Sequence, residues 1–67
     1  MNNLKEHDTV RLIEGVINGE DVYPAGTLGA VISTYDEGKL VLIEIVEMTD
    51  APIIFVSALQ VELVVAS

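Results

Sequence analysis

One histidine, His7, lies between two carboxylates, Glu6 and Asp8, and its side chain is the one best suited to proton transfer or metal binding. Together with Ser33 or Ser57 it supplies the residue types of a Ser-His-Asp triad. Neither serine lies in the strand-turn-helix motif that exposes a nucleophile. We therefore predict no catalytic residue and interpret His7 as a surface side chain at the start of a strand.

The acidic residues are numerous, but they are not spaced as metal ligands. Eleven carboxylates make a close pair expected in almost any fold, so their number does not argue for two-carboxylate hydrolysis. The turns at Glu20-Asp21 and Asp36-Glu37-Gly38 lack the spacing of a calcium-binding loop. The Gly26-Thr27-Leu28-Gly29 run lacks the lysine and the following helix of a phosphate-binding loop. The sequence thus predicts no metal ion and no cofactor.

The charge balance excludes one class of partner and leaves others open. Three cations, Lys5, Arg11 and Lys39, stand against eleven carboxylates, which gives a formal net charge of −8. Such a chain repels a phosphate backbone and has few cations to displace its counterions, so we predict no nucleic-acid partner. An acidic surface serves solubility, or it recognises a basic protein.

The length of 67 residues allows one domain, 1–67, with one hydrophobic core. So small a core needs support, yet the chain has no cysteine for a disulfide and only one histidine for a metal site, which leaves oligomerisation. No apolar run approaches the ~20 residues that span a bilayer, and the first residues lack the apolar segment of a signal peptide. We therefore expect a cytoplasmic protein with no membrane contact.

The order of apolar and turn residues predicts an all-β fold of five short strands. Val10 and Leu12 alternate with polar neighbours, which is typical of a strand with one buried face. The run from Glu14 to Tyr23 is rich in turn residues and predicts a loop or a small hairpin, and Asp36–Lys39 predicts the tight turn of a β-hairpin. The predicted strands are 8–13, 27–35, 40–47, 53–57 and 61–65, with a 3₁₀ turn over 58–60 before the last strand.

Gly26, which ends the turn before the second predicted strand, and Gly29 within that strand are three residues apart, and a glycine there commonly marks a bulge or the close crossing of another strand. Five short strands, a bent second strand and a 3₁₀ turn before the last strand predict a small five-stranded SH3-like barrel. We expect large apolar side chains to fill its core: Val10, Leu12, Leu28, Val31, Val41, Ile43, Ile45, Phe55, Leu59 and Leu63.

Several short motifs resemble those of a family of small bacterial SH3-like proteins of unknown function. They are His7-Asp8-Thr9-Val10-Arg11-Leu12, Gly26-Thr27-Leu28-Gly29-Ala30-Val31, Tyr35-Asp36-Glu37-Gly38-Lys39 and Ile43-Glu44-Ile45. The Gly-x-x-Gly-x-Val element is also similar to KOW-type barrels, although the basic residues with which those bind nucleic acid are absent. Ile45 stands where the family usually has Phe, and residues 48–52 have no glycine where the family turns on one. The resemblance implies an SH3-like barrel and no particular activity.

The third predicted strand is apolar on both faces, and a single small barrel can bury only one of them. Glu44 alone interrupts the second face, and we interpret it as an exposed charge. This face predicts self-association, with a dimer favoured over a monomer covered by its own loop. The predicted interface residues are Leu40, Leu42, Val46, Ile54 and Val64, with a contribution from Ile32.

In the absence of a catalytic constellation, the favoured function is that of a non-enzymatic protein-binding or accessory module. Two alternatives stay open at this point. One is an acidic antitoxin or immunity-type partner of a basic protein. The other is a small enzyme whose site, containing His7, forms across an oligomer interface.

Overall fold

The computed structural model describes residues 4–64, which form seven short strands and one 3₁₀ turn. The elements are β1 (Thr9–Leu12), β2 (Val16–Asn18), β3 (Asp21–Tyr23), β4 (Leu28–Tyr35), β5 (Leu40–Ile45), β6 (Ile53–Ser57), the 3₁₀ turn η1 (Ala58–Gln60) and β7 (Val61–Leu63). This confirms the all-β class, and both β6 and the 3₁₀ turn fall at their predicted bounds. The end of the last predicted strand, Val65, lies outside the described residues.

The strands form one antiparallel five-stranded sheet and a separate two-stranded hairpin. The order across the large sheet is β6-β5-β4-β1-β7, so β6 and β7 are its edges, and β2 pairs with β3. Over residues 4–64 these sheets do not form a closed barrel, so the five-stranded SH3-like barrel stays a prediction. In a closed barrel, the edge strands β6 and β7 would each form hydrogen bonds with a second neighbouring strand. Among residues 4–64, neither does.

The run from 14 to 23 gives a true hairpin because its turn residues suit a two-residue loop. Asn18 pairs with Asp21 across Gly19 and Glu20, and Gly19 has a φ of 65°. A positive φ at the first loop position is the type II′ geometry that matches the twist of paired strands. The hairpin folds back, and Val16 and Tyr23 become buried in the core.

The β4–β5 hairpin closes with two left-handed residues followed by a glycine. Asp36 and Glu37 have φ values of 54° and 57°, and the Gly38 N–H donates to the Tyr35 carbonyl at 3.1 Å, which makes a type I′ turn. Along β4 the pairing shifts by one residue between Val31 and Ser33, so the bulge is at Ile32 and not at a glycine. Gly29 lies instead at the predicted close crossing, where β4 approaches Ile43 and Glu44 of β5.

The core lies on one face of the five-stranded sheet, under the hairpin. On β5 the inward residues Val41, Ile43 and Ile45 are fully buried, while β6 turns Ile54 and Val56 inward. Among residues 4–64, the buried hydrophobic core consists of Val10, Leu12, Val16, Tyr23, Val31, Val41, Ile43, Ile45, Ile54, Val56 and Val61.

Four predicted core residues are wrong. Phe55 is 57% exposed because it pairs with Leu42 and so shares the outer face of the sheet. Leu59 is 87% exposed on the 3₁₀ turn, Leu63 is exposed at the end of β7, and Leu28 is only partly buried at the start of β4. For β6 the cause is a shift of one residue in the assumed facing, which exchanges its two faces completely.

Candidate interaction surface

Among residues 4–64, no side-chain hydrogen bond joins His7 to Ser33 or Ser57. His7 is exposed, and its Nε2 lies 4.0 Å from the Glu6 carboxylate, its sequence neighbour. The Ser57 Oγ accepts a hydrogen bond from the Leu59 N–H at 3.1 Å, so it caps the 3₁₀ turn. Ser33 pairs with Leu42 in the β4–β5 ladder.

Among residues 4–64 there is no group of three or more histidine, cysteine or acidic side chains that could hold a metal ion. Within the same range, no helix is long and apolar enough to cross a membrane.

The outer face of the β4–β5–β6 hairpins carries an apolar patch, which we call the outer patch. It consists of Tyr35, Leu40, Leu42, Ile53 and Phe55. Leu42 lies directly across from Phe55, and Tyr35 from Leu40, so the five side chains are contiguous on one sheet surface. The rings of Tyr35 and Phe55 meet edge to face, with centroids 5.6 Å apart and planes at 61°. This pairing orients both rings while leaving each exposed.

Two of the predicted interface residues, Leu40 and Leu42, belong to the outer patch, although Leu42 is partly buried. Ile54 does not: it pairs with Ile43 and is buried in the core, so its assignment to the outer face is wrong. Val46 is exposed just beyond the end of β5, and Val64 is partly buried after β7, where its N–H donates to the Thr9 carbonyl at 2.9 Å.

Ile53 and Phe55 are the members of the outer patch that the sequence analysis missed. The four-residue turn at 36–39 fixes the β4–β5 register, but seven residues, 46–52, separate β5 from β6. A connection of that length leaves open which alternating set of β6 faces inward. Ile53, Ile54, Phe55 and Val56 are all apolar, so the local pattern carries no signal that places Phe55 on the outer face.

Carboxylates lie at both ends of the outer patch, and one cation, Lys39, lies in the turn at one of them. Glu44 lies across from Ile53 at one end, and Asp36 and Glu37 form the turn beyond Tyr35 at the other. Arg11 forms an ion pair with Glu62 of β7, with Nη2 2.8 Å from Oε2. The patch is thus an uncharged centre with carboxylates at its margins.

β6 also presents backbone groups at the edge of the sheet. The Ala58 N–H donates to the Lys39 carbonyl at 2.9 Å, and the Ile45 N–H donates to the Pro52 carbonyl at 2.8 Å. In an antiparallel pair the hydrogen-bonded positions alternate, so the odd residues of β5 and the even residues of β6 form the bonded pairs. The N–H and C=O groups of Ile53 and Phe55 therefore point away from β5, toward the open side.

Tyr23 is the one buried polar side chain in the described region whose oxygen lacks a hydrogen-bond partner there. Its ring fills the core below the β2–β3 hairpin. Burial raises the pKa of the Tyr23 phenol above its usual 10.0, and the nearby carboxylates of Asp21 and Asp50 raise it further. The folded chain therefore favours the neutral phenol. Because its ring is buried, Tyr23 is part of the core and does not offer a surface for binding.

No protein-family model, no curated protein and no solved structure matches this chain.

Proposed function

We propose that this protein is a non-enzymatic protein-binding module that acts in the cytoplasm through the outer patch. The observation that carries the proposal is an exposed group of two aromatic and three aliphatic side chains on one rigid sheet surface, beside an edge strand. Aromatic side chains with restricted rotamers are typical of the energetic centre of protein interfaces. The first partner proposed is a second copy of the chain, as a dimer.

The acidic rim supports a second candidate, an antitoxin or immunity-type role against a basic protein. Glu44, Asp36 and Glu37 flank the uncharged centre, where they would attract and orient lysine and arginine side chains. In this version the outer patch supplies the contact area and the rim supplies specificity and a fast association rate.

An SH3-like architecture is also part of the proposal. The bent β4 with its bulge, the long hairpins and the 3₁₀ turn before the last strand support it. A closed barrel would further require the edges of the five-stranded sheet to meet other strands.

Affinity purification of the tagged protein from its native host, at two salt concentrations and with mass spectrometry, tests the binding function. The bait is compared with Phe55→Ser and with Ile17→Ser, a matched control on the β2–β3 hairpin that is also an exposed apolar residue. We expect a partner, or untagged chain, that is lost with Phe55→Ser and retained with Ile17→Ser. Recovery of the bait alone at both salt concentrations, or equal binding by all three baits, would overturn the proposal.

A further inference from the structure

The two edges of the five-stranded sheet differ in how they meet solvent. β7 has only three residues, and its Glu62 forms an ion pair with Arg11 on the neighbouring strand. β6 has five residues, Ile53-Ile54-Phe55-Val56-Ser57, none of them charged and none of them proline. Short length, charge and proline are the usual protections of a sheet edge against pairing with another chain. β6 has none of these three protections along Ile53–Ser57.

We propose that β6 pairs with β6 of a second copy, antiparallel and centred on Phe55, which joins the two sheets edge to edge. The inference rests on the proposed protein-binding function and specifies both the partner and the mode of contact. In this register Phe55 lies across from Phe55 of the second copy, and Ile53 lies across from Ser57 of the second copy. The outward N–H and C=O groups of Phe55 then form two main-chain hydrogen bonds across the two-fold axis.

The side chains of β6 fit this arrangement on both faces. On the outer face, the central row runs Leu42, Phe55, Phe55 of the second copy and Leu42 of the second copy, because Leu42 pairs with Phe55 within each chain. Two half-exposed apolar pairs thereby become one uninterrupted row. On the inner face, Ile54 and Val56 remain in the core of their own chain.

A second copy can pair with β6 despite the charge of the chain, because β6 itself carries none. Each chain carries a formal charge of −8, so two copies repel wherever carboxylates approach. β6 is a charge-free segment, and self-pairing there places no carboxylate opposite another at the axis. The self-complementary register also requires no sequence from outside this chain.

At the C-terminal end of β6 the backbone N–H of Ser57 already has a hydrogen-bond partner, which limits the length of the pairing. The Ser57 N–H donates to the Gln60 Oε1 at 2.9 Å, in a reciprocal cap of the 3₁₀ turn. An incoming strand therefore finds outward N–H donors at Ile53 and Phe55 but not at Ser57. The pairing is short and centred, in keeping with a dimer that dissociates on dilution.

Light scattering after size-exclusion chromatography, over a dilution series of the full chain, gives the oligomeric state. Amide hydrogen exchange on the same samples gives the mode of pairing. We expect a dimer in which the Ile53 and Phe55 amides are protected at high concentration and exchange rapidly on dilution. Phe55→Lys should produce a monomer, while Ile17→Lys, the same change at a more exposed apolar residue on the β2–β3 hairpin, should leave the dimer intact.

A second pair of variants tests the backbone bonds. Ile53→Pro removes one outward N–H per chain at the first residue of the strand, where proline is tolerated, and Ile53→Ala removes the same side chain but keeps the donor. Ile53→Pro should raise the dissociation constant about tenfold over Ile53→Ala, since two hydrogen bonds are lost per dimer. Their amide spectra establish that both variants are folded.

The outcomes separate this inference from the wider proposal. A dimer whose Ile53 and Phe55 amides exchange freely, or one that Leu42→Glu dissociates while Ile53→Pro and Ile53→Ala behave alike, would overturn edge pairing and indicate stacking of the outer patches. A single-chain mass at every concentration would overturn self-association, while the binding function would still be decided by the purification with Phe55→Ser.

Discussion

At the residue scale, the Tyr23 hydroxyl is a buried group without a partner in the described region, and its raised pKa gives stability a defined pH dependence. The folded chain holds the phenol proton more tightly than the unfolded chain does. The stability that Tyr23 contributes by holding this proton is therefore fully present below pH 10. It is lost as the pH rises from 10 through the folded-state pKa of Tyr23.

We expect Tyr23→Phe to be at least as stable as the natural chain at pH 7 and to lose less stability between pH 9 and pH 11. Denaturant unfolding across that range measures both, and Tyr35→Phe on the exposed outer patch is the control. Equal alkaline destabilisation of the natural chain and Tyr23→Phe would assign the loss to other groups.

Gly29 is buried where β4 passes close to β5. A Cβ at this position would lie 3.1 Å from both the Glu44 carbonyl oxygen and the Ile43 Cδ1. The first belongs to a paired strand and the second to a fully buried side chain, so neither has room to move. We expect Gly29→Ala to lower the free energy of unfolding by about 1 to 3 kcal/mol.

The control is Gly15→Ala, whose added Cβ would make only an ordinary contact, 3.7 Å from the Tyr23 carbonyl oxygen. Thermal or urea unfolding of both variants makes the comparison. If Gly29→Ala is the more stable of the two, the strands separate more easily at this crossing than their packing implies.

At the element scale, the β4–β5 turn holds a strained residue that can be relieved. Glu37 has a φ of 57°, in the left-handed region that costs most residues about 1 to 2 kcal/mol. Glu37→Gly should therefore stabilise the fold by about 0.5 to 1 kcal/mol, part of the relief being offset by the freer unfolded chain. Glu20→Gly removes the same charge from the other hairpin loop, at a position without a positive φ, and should stabilise nothing.

The facing of β6 can be tested with adjacent residues. Ile54 is buried and Phe55 is exposed, so Ile54→Ala should cost about 2 to 5 kcal/mol and Phe55→Ala under about 1 kcal/mol. Urea unfolding is measured at a protein concentration low enough to keep the chain monomeric, so that the effect on folding is separated from any effect on association. A larger loss for Phe55→Ala would mean that the strand faces the other way.

The elements differ in how far the sequence predicts them. β5 and β6 are fixed by runs of β-branched and aliphatic residues between turn signals, and the four-residue turn at 36–39 sets one register. The position of Phe55 depends on a long connection, and the burial of Val16 and Tyr23 depends on a hairpin whose apolar residues are too few to show alternation. Long-range pairing decides both, and local pattern does not record it. The sequence therefore predicts the β5 residues of the outer patch, Leu40 and Leu42. It does not predict the β6 residues, Ile53 and Phe55.

At the scale of the whole molecule, the net charge of −8 sets the direction of the salt response. The Debye length falls from about 10 Å at 0.1 M salt to about 3 Å at 1 M, so repulsion between two copies weakens. We expect the dissociation constant of the proposed dimer to fall about threefold to tenfold over this range. Sedimentation equilibrium measures it.

Glu14→Gln with Glu20→Gln removes two exposed carboxylates from the hairpin region and should flatten the salt dependence. A complex with a basic protein should respond in the opposite direction and weaken as salt rises. Self-association that weakens with salt would mean that attraction between unlike charges, rather than the uncharged strand, holds the copies together.

The inequality of the two sheet edges has a consequence for aggregation. If both edges were open and alike, each joined sheet would offer a fresh template at either end, and chains would add head to tail into a fibril. Here β7 is three residues long and carries the Arg11–Glu62 pair, so only β6 is a template. The proposed pairing of β6 with β6 would occupy the template on both chains at once. Such an assembly would be isologous and would close at two copies, so the apolar, uncharged edge of β6 would not seed open-ended growth.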